Sequence, residues 1–211
     1  MTTLGEPMNL ELFDELRRIS TATIFEAYPG LPVMAPAIKQ MVAGTSFAGP
    51  ALTAKCLPGD NTAVTRAVDR AQRGEVIVID ADNAGLVAVW GENATYFCQL
   101  KGVAGCVTNG AVRDIDYIRE QNFPIFATGV SVRGSIKHRS GWLDVPIAIG
   151  EAVVHPGDVV VGDGDGVIVI PKNALDQVIV AARRRRADED SRNARLRAGA
   201  SMAEIMGAPK G

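Results

Sequence analysis

Histidine is almost absent from this chain, with His138 and His155 the only two. That excludes a histidine-rich metal site, and His155, inside a His-Pro-Gly run, reads as a turn residue. Cysteine is scarce as well. Cys56, Cys98 and Cys106 are odd in number and have no C-x-x-C spacing. They read as buried thiols of a cytoplasmic protein rather than as disulfide partners or zinc ligands. Neither sign of charge dominates, since 22 basic residues stand against 24 acidic ones for a net charge of −2. Neither nucleic acid nor an anionic membrane is therefore an expected partner. No apolar run approaches the length of a membrane span. Met1 to Pro7 lack the basic and apolar regions of a signal peptide, so a cytoplasmic location is expected. No G-x-G-x-x-G follows a strand-like run, which leaves nicotinamide and ATP chemistry without support.

What is present is an ordinary globular balance. The 211 residues are 47% hydrophobic and 22% charged, enough for one domain with a substantial core. Leu10, Phe13, Leu16 and Ile19 fall near helical spacing and predict an amphipathic helix over 9–19. Ser20 to Thr23 offer hydroxyl caps for a second short helix ending before Tyr28-Pro29-Gly30. Gly49 to Leu57 reads as a strand, and the turn Pro58-Gly-Asp-Asn61 can cap a helix over 62–73. Glu75 to Asp80 is a β-branched run suited to a sheet covered on both faces. A loop over 82–85 follows. Alternating strands and helices from Gly49 to Ala127 indicate an α/β layer. Between Val130 and Pro171, short β-branched runs alternate with Gly, Asp and Pro turns, and Asp163-Gly-Asp-Gly166 reads as a tight hairpin. A helix over 173–200 closes the chain, with Arg183 to Arg186 at neighbour spacing from Asp188, Glu189 and Asp190. That face suits solvent or another subunit better than nucleic acid.

The chemistry-bearing residues concentrate between Trp90 and Asp116. Gly91-Glu92 opens the stretch on a turn followed by a carboxylate. Asn93 to Lys101 reads as a helix and Val103 to Val107 as a buried strand. Asn109-Gly110-Ala-Val-Arg113-Asp114 closes it on a second turn with an adjacent cation and anion. A helix leading into a strand can bring both turns to one end of a sheet. Glu92, Arg113 and Asp114 can then converge in one cleft suited to a divalent metal and an oxygen-rich anionic substrate. Each piece also has a plainer explanation. An Arg-Asp pair at a helix start is commonly a cap beside a surface cation, and a Gly-Glu before a helix is a favourable dipole contact.

Glu92, twenty residues, then Arg113-Asp114 resembles the signature of the class II, metal-dependent 4-hydroxy-4-methyl-2-oxoglutarate aldolase family, which also contains the regulator of ribonuclease E activity. Lys55-Cys-Leu-Pro-Gly-Asp-Asn61 and the run from Val154 to Pro171 are similar to the same family, so the likeness covers about 20–171. The family usually carries Asp where this chain has Glu92. The resemblance implies a single α/β domain of the β/β/α swivelling type, with a mixed first half, a β-rich second half and a C-terminal helix. It also implies a homotrimer or a hexamer.

For the site, the resemblance implies a magnesium or manganese ion anchored by Asp114. Arg113 would donate to the keto oxygen of a pyruvyl group, and the backbone N–H groups following Gly91, at Glu92, Asn93 and Ala94, would hold its carboxylate. Glu92 would act as proton shuttle through a water. Asn61 and Lys137 would be substrate contacts, and Glu189 would come from a neighbouring subunit. Turn, surface and helix-face roles account for these last three equally well. The implied reaction is cleavage of a 4-hydroxy-2-oxo acid to pyruvate and a second carbonyl compound, with oxaloacetate decarboxylation as a related activity. The competing function is a non-catalytic regulator that binds ribonuclease E or a related protein. Asp114 separates the two, because regulators that resemble this chain usually lack that carboxylate.

Overall fold

The computed structural model describes residues 9–82, 87–138 and 141–207. Residues 83–85 of the expected loop, and Met1 to Pro7, lie outside them. The chain opens with helices α1 (Leu10–Arg18) and α2 (Thr21–Ala27), each started by a side-chain cap. Asn9 accepts from the Leu12 N–H at 3.1 Å, and Ser20 Oγ from the Thr23 N–H at 3.2 Å. Strand β1 (Lys39–Gln40) is brief and lies where the sequence carries mixed signals.

The α/β layer follows as β2 (Phe47–Lys55), α3 (Thr62–Arg70), β3 (Val76–Asp80), β4 (Ala88–Trp90), α4 (Glu92–Lys101), β5 (Gly105–Thr108), β6 (Ala111–Val112), α5 (Ile115–Glu120), β7 (Ile125–Ala127) and β8 (Gly129–Val130). Strands β2, β3, β5 and β7 pair in parallel, neighbour to neighbour, in the order β7-β5-β3-β2. Every residue of β3 is buried. Ile77 and Ile79 pack on one face beneath α3 and α4, and Val76 and Val78 on the other. This two-sided cover explains why β3 is an unbroken aliphatic run.

The second half contains β9 (Trp142–Leu143), β10 (Ile147–Ile149), β11 (Ala152–Val154), β12 (Val159–Asp163) and β13 (Gly166–Ile170). Its β-rich character agrees with the sequence. Long β2 joins the halves, since Phe47–Pro50 pair antiparallel with β12 while Ala51–Lys55 pair in parallel with β3. β12 and β13 form the expected hairpin, closed where Asp163 faces Gly166. Asp163 is occupied structurally, accepting from the Thr21 N–H (2.8 Å) and hydroxyl (2.7 Å) at the start of α2. The chain ends in α6 (Leu175–Arg197) and α7 (Met202–Met206), with α6 packed along α2.

One layer is not visible in the sequence. After β3, β5 and β7 the chain adds β4, β6 and β8, and these three pair in parallel as a second small sheet, β4-β6-β8. Two or three residues show no period, even though every residue of β4 and β6 is buried. Their carboxyl ends carry the sequence-predicted chemistry. No helix among the described residues is long and apolar enough to cross a membrane.

Candidate active site

Trp90 fixes the mouth of the site from below. Its ring is buried against Phe123 (centroids 5.9 Å apart, planes 12° apart), and its Nε1–H donates to Thr95 Oγ1 at 2.9 Å. With β4 so anchored, Gly91 takes extended backbone and α4 starts at Glu92. Val112 is equally buried at the end of neighbouring β6, so Arg113-Asp114 emerges beside Gly91-Glu92. Asp114 sits in the left-handed region at φ 54°, a conformation a short polar side chain tolerates. From there Asp114 Oδ2 accepts the Glu92 N–H at 3.0 Å and lies 3.5 Å from Arg113 Nε.

Gly91 makes that closeness possible. A Cβ on it would stand 2.6 Å from Asp114 Oδ2 and 3.1 Å from Arg113 Cγ. Gly134 does the same on the other side, where a Cβ would meet Arg113 Nη1 at 2.8 Å. The guanidinium is thus laid between two glycine backbones.

Asn61 arrives from the end of β2. Neighbouring Asp60 is buried, accepting the Thr62 N–H at 2.8 Å and the His138 N–H at 2.7 Å. Asp60 therefore starts α3 and leaves the Asn61 side chain free to face the cleft. Asn61 Nδ2 donates to the Val89 carbonyl at 3.3 Å. Its Oδ1 is shielded from solvent yet accepts no hydrogen bond among the described residues. Such an orphaned acceptor needs an explanation, and a substrate hydroxyl is one.

These groups line one cleft of about 450 Å³ that holds Asn61, Gly91 to Ala94, Arg113, Asp114 and Lys137. Glu189 lies elsewhere, on α6, where its carboxylate accepts from Thr23 Oγ1 (2.9 Å) and Arg185 Nε (3.2 Å). The chain also supplies groups that the sequence did not single out. Ser135 reaches the cleft and Gly134 lies against Arg113 because the segment before His138 is pinned by backbone bonds, Asn61 N–H to Ile136 O and Ala88 N–H to Arg133 O. No short-range pattern marks such a crossing segment. Val64, Thr65, Val68 and Asp69 of α3 and Phe97 of α4 complete the wall. The pairwise spacing of the four α3 residues was the available signal, since it sets them on one helix face.

Two details refine the anion site at the start of α4. Because the Glu92 N–H is held by Asp114, the N–H groups with no intrahelical acceptor are those of Asn93 and Ala94. These carry the anion-binding capacity of the helix end.

For a metal, the described residues hold no cluster of three carboxylate, histidine or cysteine groups. All three thiols are buried. Burial pushes Cys56 and Cys98 up to about 12 and Cys106 well above its usual range, so thiolate ligation has no basis. The donor set that does fit is Asp114, a hard oxygen ligand at the edge of a roomy polar cleft. One or two carboxylates plus water and substrate oxygens is how magnesium is ordinarily held.

Residues 13–169 match the RraA-like family, described as Aldolase/RraA. The chain belongs to this family. A "Putative 4-hydroxy-4-methyl-2-oxoglutarate aldolase" of Halalkalibacterium halodurans is 38% identical over 183 residues, 87% of each chain. An uncharacterized protein from Pseudomonas syringae pv. tomato has a solved structure similar at TM-score 0.86 and 26% identity, covering 99% of this chain and 100% of that one. RraAS2 of Streptomyces coelicolor, described as an unusual member of the RNase ES inhibitor RraA family, matches at TM-score 0.77 and 29% identity over 89% and 98% of the two chains. Together these likenesses support the mixed α/β RraA-like fold with its C-terminal helix. The RraA-like family thus spans proteins named as lyases and proteins named as RNA-processing inhibitors.

Proposed function

We propose that this RraA-like chain is a divalent-metal-dependent lyase that cleaves a 4-hydroxy-2-oxo acid to pyruvate and a second carbonyl compound. The observation that carries this reading is the Asp114–Glu92–Arg113 cluster, with Asp114 Oδ2 held 3.0 Å from the Glu92 N–H at the mouth of a cleft that also contains Lys137. The aldolase name of the 38% identical relative supports it.

In this mechanism the substrate carboxylate rests on the Asn93 and Ala94 N–H groups, with Lys137 and Asn61 as further contacts. A magnesium or manganese ion held by Asp114 would polarise the 2-keto oxygen. Glu92, directly or through a water, takes the proton of the 4-hydroxyl. The C3–C4 bond breaks, the 4-carbon leaves as a carbonyl, and the electron pair passes to the C2 oxygen as an enolate. Arg113 donates to that oxygen as its charge grows. Glu92 then returns a proton to C3 and pyruvate leaves. Oxaloacetate would lose carbon dioxide through the same enolate. The deciding experiment is pyruvate release from 4-hydroxy-2-oxo acids and oxaloacetate, with and without chelator. Silence across the panel in magnesium-containing buffer would refute the lyase reading.

Glu92→Gln is expected to lose exchange of the C3 protons of pyruvate with solvent, since an amide cannot act as base. Glu92→Asp should retain part of it. Proton exchange followed by NMR in deuterated water checks this, and unchanged exchange in Glu92→Gln would leave Glu92 as a helix-start anion only.

We further propose a homotrimer, or paired trimers as a hexamer, in which Glu189 would give up its contacts to Thr23 and Arg185 to reach a neighbouring cleft. Tyr96, Phe97 and Leu100 expose an apolar face of α4 beside the cleft, at 50%, 53% and 67% exposure, which favours a protein contact there. Light scattering should then report a trimer or its double. Mixing Asp114→Asn and Glu189→Ala subunits should restore some activity, whereas a fully active monomer would remove the whole arrangement.

A further inference from the structure

Asp60 is a carboxylate only 2% exposed that does not itself line the cleft. A charge so far from water is costly unless its oxygens are satisfied. Both are committed to backbone donors, on different parts of the fold. Oδ1 accepts the Thr62 N–H at 2.8 Å, at the start of α3. Oδ2 accepts the His138 N–H at 2.7 Å, from far along the chain. Starting the helix needs only the first of these bonds.

The second falls beside a cleft residue. Segment 134–138 meets the turn before α3 at a single bridge, Asp60 opposite Ile136. There the Ile136 N–H donates to Gly59 O at 2.9 Å and the Asn61 N–H to Ile136 O at 3.1 Å. The alternation of an extended chain turns Ile136 outward, 47% exposed, and Ser135 and Lys137 into the cleft. Lys137 thus has a hold on each side, at Ile136 before it and at His138 after it. The other end of the segment is tied separately, by the Ala88 N–H to Arg133 O at 2.8 Å, and carries Gly134 against Arg113.

We infer that Asp60 is a positioning residue for substrate binding, fixing through the His138 N–H the backbone from which Lys137 reaches the substrate carboxylate. This rests on the lyase reading, which makes Lys137 a substrate contact. Lysine is a compact charge on a flexible stem, so its ammonium is only as well placed as the backbone beneath it. Loosening the His138 end leaves Arg113 and Asp114 in place, because their contacts to the Glu92 N–H and to the two glycines are made elsewhere. Asp60 therefore governs KM rather than the rate of the chemical step.

Exchange of the C3 protons of pyruvate with deuterated solvent, followed against pyruvate concentration in magnesium-containing buffer, separates the two parameters. Asp60→Asn puts an amide NH2 in place of one acceptor. It should raise KM about tenfold, the order of one contact to a charged group, and lower the maximal rate by less than about threefold. Asp60→Ser keeps a hydroxyl able to accept the Thr62 N–H in a local turn but has no second oxygen, and should act alike. Lys137→Met should raise KM at least as much, and adding Asp60→Asn to it should raise KM no further.

An unchanged KM in Asp60→Asn or in Lys137→Met overturns the inference. An equal rise from Asp60→Asn in both backgrounds does the same, since it marks a general loosening of the fold. Loss of the thermal unfolding transition in both Asp60 variants would make Asp60 a residue of folding alone, which also overturns it. Exchange by the unaltered protein supports the lyase reading whichever of these results is found. No exchange at any pyruvate concentration removes that reading and the inference with it.

Discussion

Replacing Asp114 with asparagine is expected to lower pyruvate release at least about a hundredfold while leaving the protein folded. Asp114 has two separable tasks. As backbone, Asp114 occupies the left-handed region at φ 54°, and asparagine tolerates that conformation nearly as well as aspartate. Its carbonyl oxygen can still accept the Glu92 N–H that Asp114 Oδ2 holds at 3.0 Å. What is lost is the formal charge that would bind a divalent cation. Lewis-acid polarisation of a keto oxygen contributes several kcal/mol to the barrier, and each 1.36 kcal/mol is about tenfold in rate. Asp114→Ala should lose the same activity and, in addition, about 1 kcal/mol of stability, because alanine has no local hydrogen bond to offset the left-handed backbone. Thermal melts distinguish the two variants, and chelation of the unaltered protein should mimic Asp114→Asn. Full turnover in excess chelator, or in Asp114→Asn, would end the metal-dependent reading.

The contrast between what the sequence carried and what it hid has a physical basis. The α3 pattern, with buried Ala63, Val64, Ala67 and Val68 in successive pairs, records burial on one helix face, and the aliphatic run of β3 records burial on two. Both are properties of consecutive residues, so both were legible. Glu92 and Arg113-Asp114 were placed together from their flanking turns, and the structure puts them in one cleft. The small sheet β4-β6-β8 was not legible, because its strands are too short to show a period and are specified by pairing with residues far along the chain. Gly134 and Ser135 escaped for a similar reason. Their places beside Arg113 and in the cleft depend on backbone bonds from Asn61 to Ile136 and from Ala88 to Arg133, which join segments more than forty residues apart. Glu189 shows a different limit. Helical spacing correctly brought it within reach of Arg185, at 3.2 Å, but carries no information about its second partner, Thr23 on α2.

Gly91 gives the second large effect, and here the expected loss comes from a methyl group rather than a charge. The backbone at Gly91, at φ −169° and ψ −162°, is extended and open to alanine. The obstacle is the Asp114 carboxylate, since the new Cβ would lie 2.6 Å from Oδ2 and 3.1 Å from Arg113 Cγ, both closer than ordinary contact. Gly91→Ala must therefore swing Asp114 away, breaking its bond to the Glu92 N–H and shifting the neighbouring guanidinium. A displacement of about 1 Å at a positioning group typically costs about a hundredfold in rate, so kcat/KM should fall by about that factor. Stability should fall by no more than about 1 kcal/mol, the scale of losing a good residue at a helix start. The same shift moves the one carboxylate proposed to anchor the cation, so manganese binding, followed by electron paramagnetic resonance, should weaken together with catalysis. Activity lost with manganese affinity intact would place the damage at Arg113 instead. Wild-type turnover in Gly91→Ala would show that Asp114 need not sit against this turn to work.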